Sequence, residues 1–240
     1  EVGVKTKNFN IFCQTSETWI SNKYIANSTK KFSLDLFKLD GIYCYLGIDL
    51  GSVSDLTAVS MMIPYEDKFY FKTYQFVPEE TLESSVNGEL YKEWVKNGDL
   101  IITPGNVTDY DYILNYMMTI NNEIPIFKVS YDSYNATYLS IKATEQGLNM
   151  VPYPQCIGAF NKPTKELQRL IMSGKVVMDN NPCVRWQFNN IIIKEDWNQN
   201  IKPTKSTNEN KIDSVIAMIM ALGGYLDDTN PNQQIIGLSM

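Results

Sequence analysis

Before residue 40 the chain shows no sustained hydrophobic period. Small polar clusters at Gln14–Glu17 and Ser21–Lys31 interrupt it, and it reads as a linker or as peripheral packing. From Tyr43 to Leu50 the chain turns continuously apolar and β-rich until Gly51, the pattern of a buried strand that ends in a turn. Thr57–Ile63 and Lys68–Val77 read as two more strands about the turn-like Pro64–Asp67, completing a three-strand meander. Beyond it the spacing becomes helical over Glu89–Lys96 and over Asp109–Asn121, where Tyr112, Leu114, Tyr116 and Met117 are available for packing. Ile126–Tyr131 is a further buried strand that stops at Asp132, and Asn135–Gln146 is a helix closed by Gly147. Lys165–Met172 has helical spacing, with Pro163 near its start and Gly174 past its end. Asn190–Lys194 and Asn200–Lys202 flank Trp197 as a hairpin, Ile212–Leu226 is a final amphipathic helix, and Asp227–Met240 reads as a mobile tail. Strands first, then strands alternating with helices, predict an α/β fold in which a mixed sheet is flanked by helices on both faces.

The composition fits this outline. At 240 residues, with 44% hydrophobic and 20% charged residues, the chain is expected to hold one large domain, residues 41–226, with 1–40 and 227–240 as appendages. A start at Glu1 rather than Met, followed by forty irregular residues, suggests a piece of a longer polypeptide. The longest apolar runs, Ile42–Leu50 and Val215–Leu222, fall far short of the roughly 20 residues that span a bilayer. Cys13, Cys44, Cys156 and Cys183 are too scattered for a zinc site or a small disulfide framework, and point to reduced thiols.

The complete absence of histidine excludes Ser/His/Asp triads, Cys/His dyads and His-based zinc sites. The net charge of −6 argues against nucleic acid until it is divided along the chain. Residues 161–211 carry nine Lys/Arg against five acids, a local excess of +4 that could meet phosphates, although a solvated mixed-charge face would read the same way.

Three aspartates stand where carboxylates are costly or conspicuous. Asp49 ends the apolar strand Leu46-Gly47-Ile48-Asp49, and a buried carboxylate there needs a partner, a hydrogen bond or a metal. Asp132 ends the strand Val129-Ser130-Tyr131-Asp132 in the same way, or else caps the helix that follows. If these two strands are parallel neighbours, both acids emerge at the carboxyl edge of the sheet, where open α/β sheets bind ligands. Asp213 stands in the first turn of the last apolar helix, where complementing the helix dipole is its ordinary use. Taken together, three oxygen ligands without His or Cys suit hard cations, Mg²⁺ or Mn²⁺.

At this point the sequence resembles a known family. Gly47-Ile48-Asp49-Leu50-Gly51-Ser52 with Asp55, then Tyr131-Asp132-Ser133-Tyr134-Asn135-Ala136-Thr137, then Pro163–Ile171, Asn181–Trp186 and Asn189-Asn190, and finally Ile201–Pro203 and Lys211–Leu222 follow, in order, the nuclease segment of tailed-phage terminase large subunits. The resemblance implies an RNase H-like, divalent-metal-dependent endodeoxyribonuclease that cuts concatemeric double-stranded DNA during genome packaging. It further implies two ions, with Asp49 bridging them and Asp132 and Asp213 each holding one side. Asp55 could support that site from behind, although a turn-forming role suits it better. Lys162, Lys165, Arg169, Lys202, Lys205 and Lys211 are candidate contacts to the DNA backbone. The implied partners are a packaging ATPase in the same polypeptide, the portal protein and the small terminase subunit, in the host cell cytoplasm. The phosphate loop of such an ATPase is absent, so residues 1–40 are expected to descend from the connection to it.

Three other readings are weighed. The glycine-rich turn at Gly47–Ser52 also resembles the first phosphate loop of actin, Hsp70 and sugar kinases, but neither their second loop nor their adenosine site is found. A junction resolvase or transposase core would use the same triad. A non-enzymatic docking module would use the three acids only as caps.

Overall fold

The computed structural model describes residues 18–39, 41–51, 55–134 and 136–229. The meander is present as expected. β1 (Cys44–Asp49), β2 (Thr57–Tyr65) and β3 (Lys68–Pro78) pair antiparallel, and the turn between β2 and β3 places Glu66 at φ 53°. β5 (Ile126–Tyr131) lies parallel to β1. Three short strands that the sequence pattern misses complete the sheet: β4 (Ile101–Thr103), β6 (Met150–Pro152) and β7 (Val176–Met178). The order is β4-β3-β2-β1-β5-β6, with β7 sharing the outer edge of β3 with β4. The Trp197 hairpin forms a separate two-stranded sheet, β8 (Ile191–Glu195) and β9 (Ile201–Lys205).

The two-residue period of β1 divides the core. Cys44, Leu46 and Ile48 turn to one face, where they pack with α4 (Tyr110–Glu123) and α5 (Thr137–Glu145). Tyr45 turns to the other, where α8 (Asp213–Asp228) lies with α6 (Ile157–Met172) and α7 (Pro182–Asn189) behind it. A third cluster joins α3 (Gly88–Asn97) to the sheet through Tyr91, Trp94 and Leu56, and the short α2 (Thr81–Ser84) precedes it.

The structure differs from the sequence expectations in four places. The segment assigned to a linker or peripheral packing contains α1 (Asn22–Ser28) and a 3-10 turn, Leu34–Phe37. Ile20, Ile25 and Phe37 are buried in the core, so residues 18–39 are part of the domain body; residues 1–17 lie outside the described residues. The last helix is not amphipathic: every residue from Asp213 to Gly224 is buried, because the sheet covers one side and α6 and α7 the other. Fully buried side chains such as Val215, Ile219 and Leu222 contribute about 2 kcal/mol each.

The helix expected at Lys165 starts eight residues earlier, with Pro163 in its interior. A proline there leaves the Ala159 carbonyl without its helical donor, and the Tyr153 hydroxyl supplies one at 3.0 Å. The expected tail also begins later, since α8 runs through Asp228; residues 230–240 lie outside the described residues.

Candidate active site at the sheet edge

β1 and β5 run parallel with Ile48 opposite Tyr131, and the Asp132 N–H donates to the Ile48 carbonyl at 3.3 Å. Asp49 and Asp132 therefore leave adjacent strands at the same carboxyl edge. By the strand period Asp49 shares a face with Tyr45 and Gly47, and Asp132 with Lys128 and Ser130. This is the α8 face: Tyr225 meets Tyr45, Ala217 and Ala221 lie over Gly47, and Gly224 lies over Ser130. The helix descends as β1 ascends, which carries its first residue, Asp213, to the edge where Asp49 emerges.

Burial and mutual repulsion define the electrostatics. Burial pushes the Asp49 carboxyl well above its ordinary value, and the charges of Asp213, Asp132 and Asp55 push it further, against Lys205. The Asp213 carboxyl is pushed up to about 7 by burial and by Asp55, opposed by its own backbone and by Lys205 and Lys211. Asp213 is 9% exposed, and its Oδ2 finds no hydrogen-bond partner among the described residues. Asp132 does not cap α5, whose N-cap is Ala136; its Oδ1 accepts the Tyr134 N–H at 3.0 Å in a local turn.

Asp55 makes two contacts of its own. Its Oδ1 accepts the Leu56 N–H at 2.9 Å, which shapes the turn, and it pairs with Lys211 Nζ at 2.7 Å beside the other acids. The turn is tight at Gly51, where a β-carbon would stand 2.3 Å from the Leu56 carbonyl oxygen.

The six basic candidates separate into two groups. Lys202, Lys205 and Lys211 stand on β9 and the loop after it, close to the acids. Lys202 Nζ donates to the Gln155 carbonyl and lies 4.7 Å from the Phe160 ring centre; burial lowers its pKa while the charges of Asp132 and Asp49 raise it. Asn190 Nδ2 holds the Lys211 carbonyl at 3.0 Å, which ties that loop to the end of α7. On α6, by contrast, Arg169 is bound bidentately to Glu166 at 2.7 and 2.8 Å, and Lys165 Nζ donates to the Gln199 carbonyl at 2.7 Å. Lys162 lines a cavity with Gly223 and Asp227, toward the far end of α8 from Asp213.

The donor set is entirely oxygen, and the orphaned buried Asp213 Oδ2 is the kind of atom a hard cation satisfies, so the residues fit Mg²⁺ or Mn²⁺. The acids are adjacent rather than closed: among the described residues no three His, Cys, Asp or Glu groups converge to hold a single ion. Sequence reasoning missed the polar residues behind the site, Gln75 and Gln187, because an isolated glutamine in a strand or helix reads as a surface position. It also passed over Gly47, although a glycine in an apolar strand signals a close backbone approach.

A family model described as the terminase large subunit endonuclease domain matches residues 2–228. The protein YmfN of Escherichia coli K12 is 31% identical over 232 residues, covering 91% of this chain and 51% of that protein. The crystal structure of the HK97 bacteriophage large terminase superposes with a TM-score of 0.76 at 22% identity, covering 92% of this chain and 46% of that one. The magnesium-bound large terminase nuclease of thermophilic phage G20c superposes with a TM-score of 0.53 at 12% identity, covering 77% and 82%. This chain thus spans about half the length of YmfN and of the HK97 protein. With a mixed sheet flanked by helices and a family model that matches residues 2–228, the chain belongs to the terminase large subunit endonuclease domain family.

Proposed function

We propose that this domain is a divalent-metal-dependent endonuclease that cuts concatemeric double-stranded DNA during genome packaging. The observation that carries the proposal is the meeting of Asp49, Asp132 and Asp213 at one sheet edge, with a buried carboxylate oxygen of Asp213 left unpartnered. Asp49 stands in the field of both other acids, which suits it to be shared between two ions, with Asp132 and Asp213 each on one side. The magnesium of the phage G20c nuclease supports the same reading. Such ions, when bound, polarise a phosphodiester and activate water for its hydrolysis.

The chain's own residues do the rest. The two strands hold Asp49 and Asp132 in fixed register, and α8 delivers Asp213. Lys202, Lys205 and Lys211 offer positive charge to the backbone phosphates beside the acids. Among the described residues no helix is long and apolar enough to cross a membrane. The partners are a packaging ATPase carried by the same polypeptide, the portal protein and the small terminase subunit, and the place of action is the host cell cytoplasm.

The test is cleavage of supercoiled plasmid with Mn²⁺, Mg²⁺ or EDTA, beside an Asp49→Ala variant. Metal-dependent nicking that the variant loses supports the proposal. Absence of both cutting and metal-induced thermal stabilisation overturns it, and a strong preference for four-way junctions would move the reading to a resolvase.

A further inference from the structure

The start of α8 lacks the side chain that normally caps a helix. Its N-cap is Ile212, which has no hydrogen-bonding group, so the first amide N–H groups need acceptors from elsewhere. One comes from another helix: Gln187 Oε1, on α7, accepts the Ser214 N–H at 2.8 Å. The same amide is anchored on its other side, because Gln187 Nε2 donates to Gln75 Oε1 on β3. The ring closes through Ser214 Oγ, which donates to Gln75 Oε1 at 2.7 Å, and Cys183 Sγ approaches that oxygen at 3.1 Å. Gln75 is 1% exposed, and Gln187, Ser214 and Cys183 are fully buried. Breaking any bond of this ring strands a desolvated partner, as Gln75 Nε2 already stands buried without one among the described residues.

We propose that Gln187 is a positioning residue for Asp213: by capping α8 from α7 it holds the first turn of the helix, and the Asp213 carboxylate with it, at the site. The Asp213 carboxylate engages its own backbone amide, which leaves its second oxygen to be satisfied from elsewhere. With the Ser214 N–H already taken, Asp213 Oδ2 is left buried and unpartnered at the edge where Asp49 and Asp132 emerge. The cap also fixes α8 to β3 and α7, so the distance from Asp213 to Asp49 is set by the fold body rather than by the loop at Asn208–Lys211. In well-characterised metal sites such outer partners change affinity by about 10–100-fold when removed.

This inference rests on the metal-dependent nuclease reading, and the experiment separates the two. Melting temperature is followed against Mn²⁺ concentration for the unaltered chain, Gln187→Met and Ser214→Ala. No Mn²⁺ response in the unaltered chain, together with no metal-dependent cutting of plasmid, sinks the nuclease reading itself. Given a response, Gln187→Met is expected to raise the half-saturating Mn²⁺ concentration about tenfold or more. Ser214→Ala, which keeps the amide cap, is expected to move it less than about twofold. Gln187→Met with an unchanged half-point, whatever its melting temperature without metal, would show the ring to be structural only. A Ser214→Ala shift as large as that of Gln187→Met would overturn the amide as the link. If Gln187→Met does not fold, Gln187→Asn, too short to reach the amide, is read by the same criterion.

Discussion

Gly47 and Ala217 are packed so closely that a β-carbon on Gly47 would stand 1.9 Å from the Ala217 carbonyl oxygen and 2.6 Å from the Ala221 nitrogen. The obstructing atoms are helix backbone, which cannot swing aside as a side chain can. The contact sets how near α8 comes to β1, and with it the approach of Asp213 to Asp49. Gly47→Ala should therefore do two things at once. It should destabilise the domain by about 3 kcal/mol, the upper part of the range for overpacking. It should also weaken the response to Mn²⁺, because the helix must move away from the strand. Urea unfolding with and without Mn²⁺ measures both; a wild-type metal response in Gly47→Ala would separate the helix approach from the site.

The raised carboxyl of Asp213 makes stability depend on pH in a stated direction. A carboxyl whose folded value lies above its unfolded value binds more protons in the folded state. Its contribution is therefore whole below about pH 4 and is lost as pH rises toward about 7. The shift from 3.8 to about 7 corresponds to a contribution on the order of 4 kcal/mol. Asp179, which follows β7 at the outer edge of the sheet, is also pushed up to about 7 by burial and titrates in the same window, so the unaltered chain alone does not isolate the site. The difference between it and Asp213→Asn does. In EDTA, the melting temperature of Asp213→Asn should fall less between pH 4.5 and 7.5 than that of the unaltered chain. Parallel curves would mean that Asp213 does not carry the effect.

How much of this was legible in the sequence follows from length and continuity. β1, β2, β3 and β5 hold six residues or more, long enough for an apolar run or a two-residue period to give each away. β4, β6 and β7 hold three residues each, too few for any period to register. The helix α7 was missed despite a readable start, Asn181 as N-cap followed by Pro182, with the Asn181 side chain accepting the Cys183 and Val184 amides. Asp49 and Asp132 were visible because a carboxylate at the end of an apolar strand is conspicuous. That Arg169 pairs with Glu166 follows from helical spacing, whereas the approach of Lys211 to Asp55, far from it in sequence, depends on the chain path and is not visible.

Pro163, expected near a helix start, stands inside α6, where its missing N–H leaves the Ala159 carbonyl to be served from outside the helix. Tyr153, ten residues earlier, serves it through its hydroxyl. Tyr153→Phe should cost about 1–2 kcal/mol, because it leaves that carbonyl unpaired. In a Pro163→Ala background the helix amide at 163 becomes available, and the same Tyr153→Phe change should cost well under half as much. Equal costs in both backgrounds, measured by urea unfolding, would show that the hydroxyl is not substituting for the helix bond.

The division of the basic residues gives the last test. Each lysine that neutralises a phosphate contributes about 0.9 to the slope of log affinity against log salt on duplex DNA. Lys202 and Lys205 stand beside the acids, so replacing both with Ala should reduce that slope by about 1.8 and weaken binding alike on unrelated sequences. Lys202 also donates to a carbonyl, that of Gln155, but the charges of Asp132 and Asp49 act on it, whereas Lys165 and Arg169 are engaged on α6 by the Gln199 carbonyl and by Glu166, and their double replacement should leave the slope within about 0.5 of the original. Fluorescence anisotropy of a labelled duplex in EDTA, from low to moderate salt, reads both variants without cleavage. If the Lys165 and Arg169 pair reduced the slope and the Lys202 and Lys205 pair did not, the DNA would run along α6, and the assignment of phosphate contacts to β9 would have to be given up.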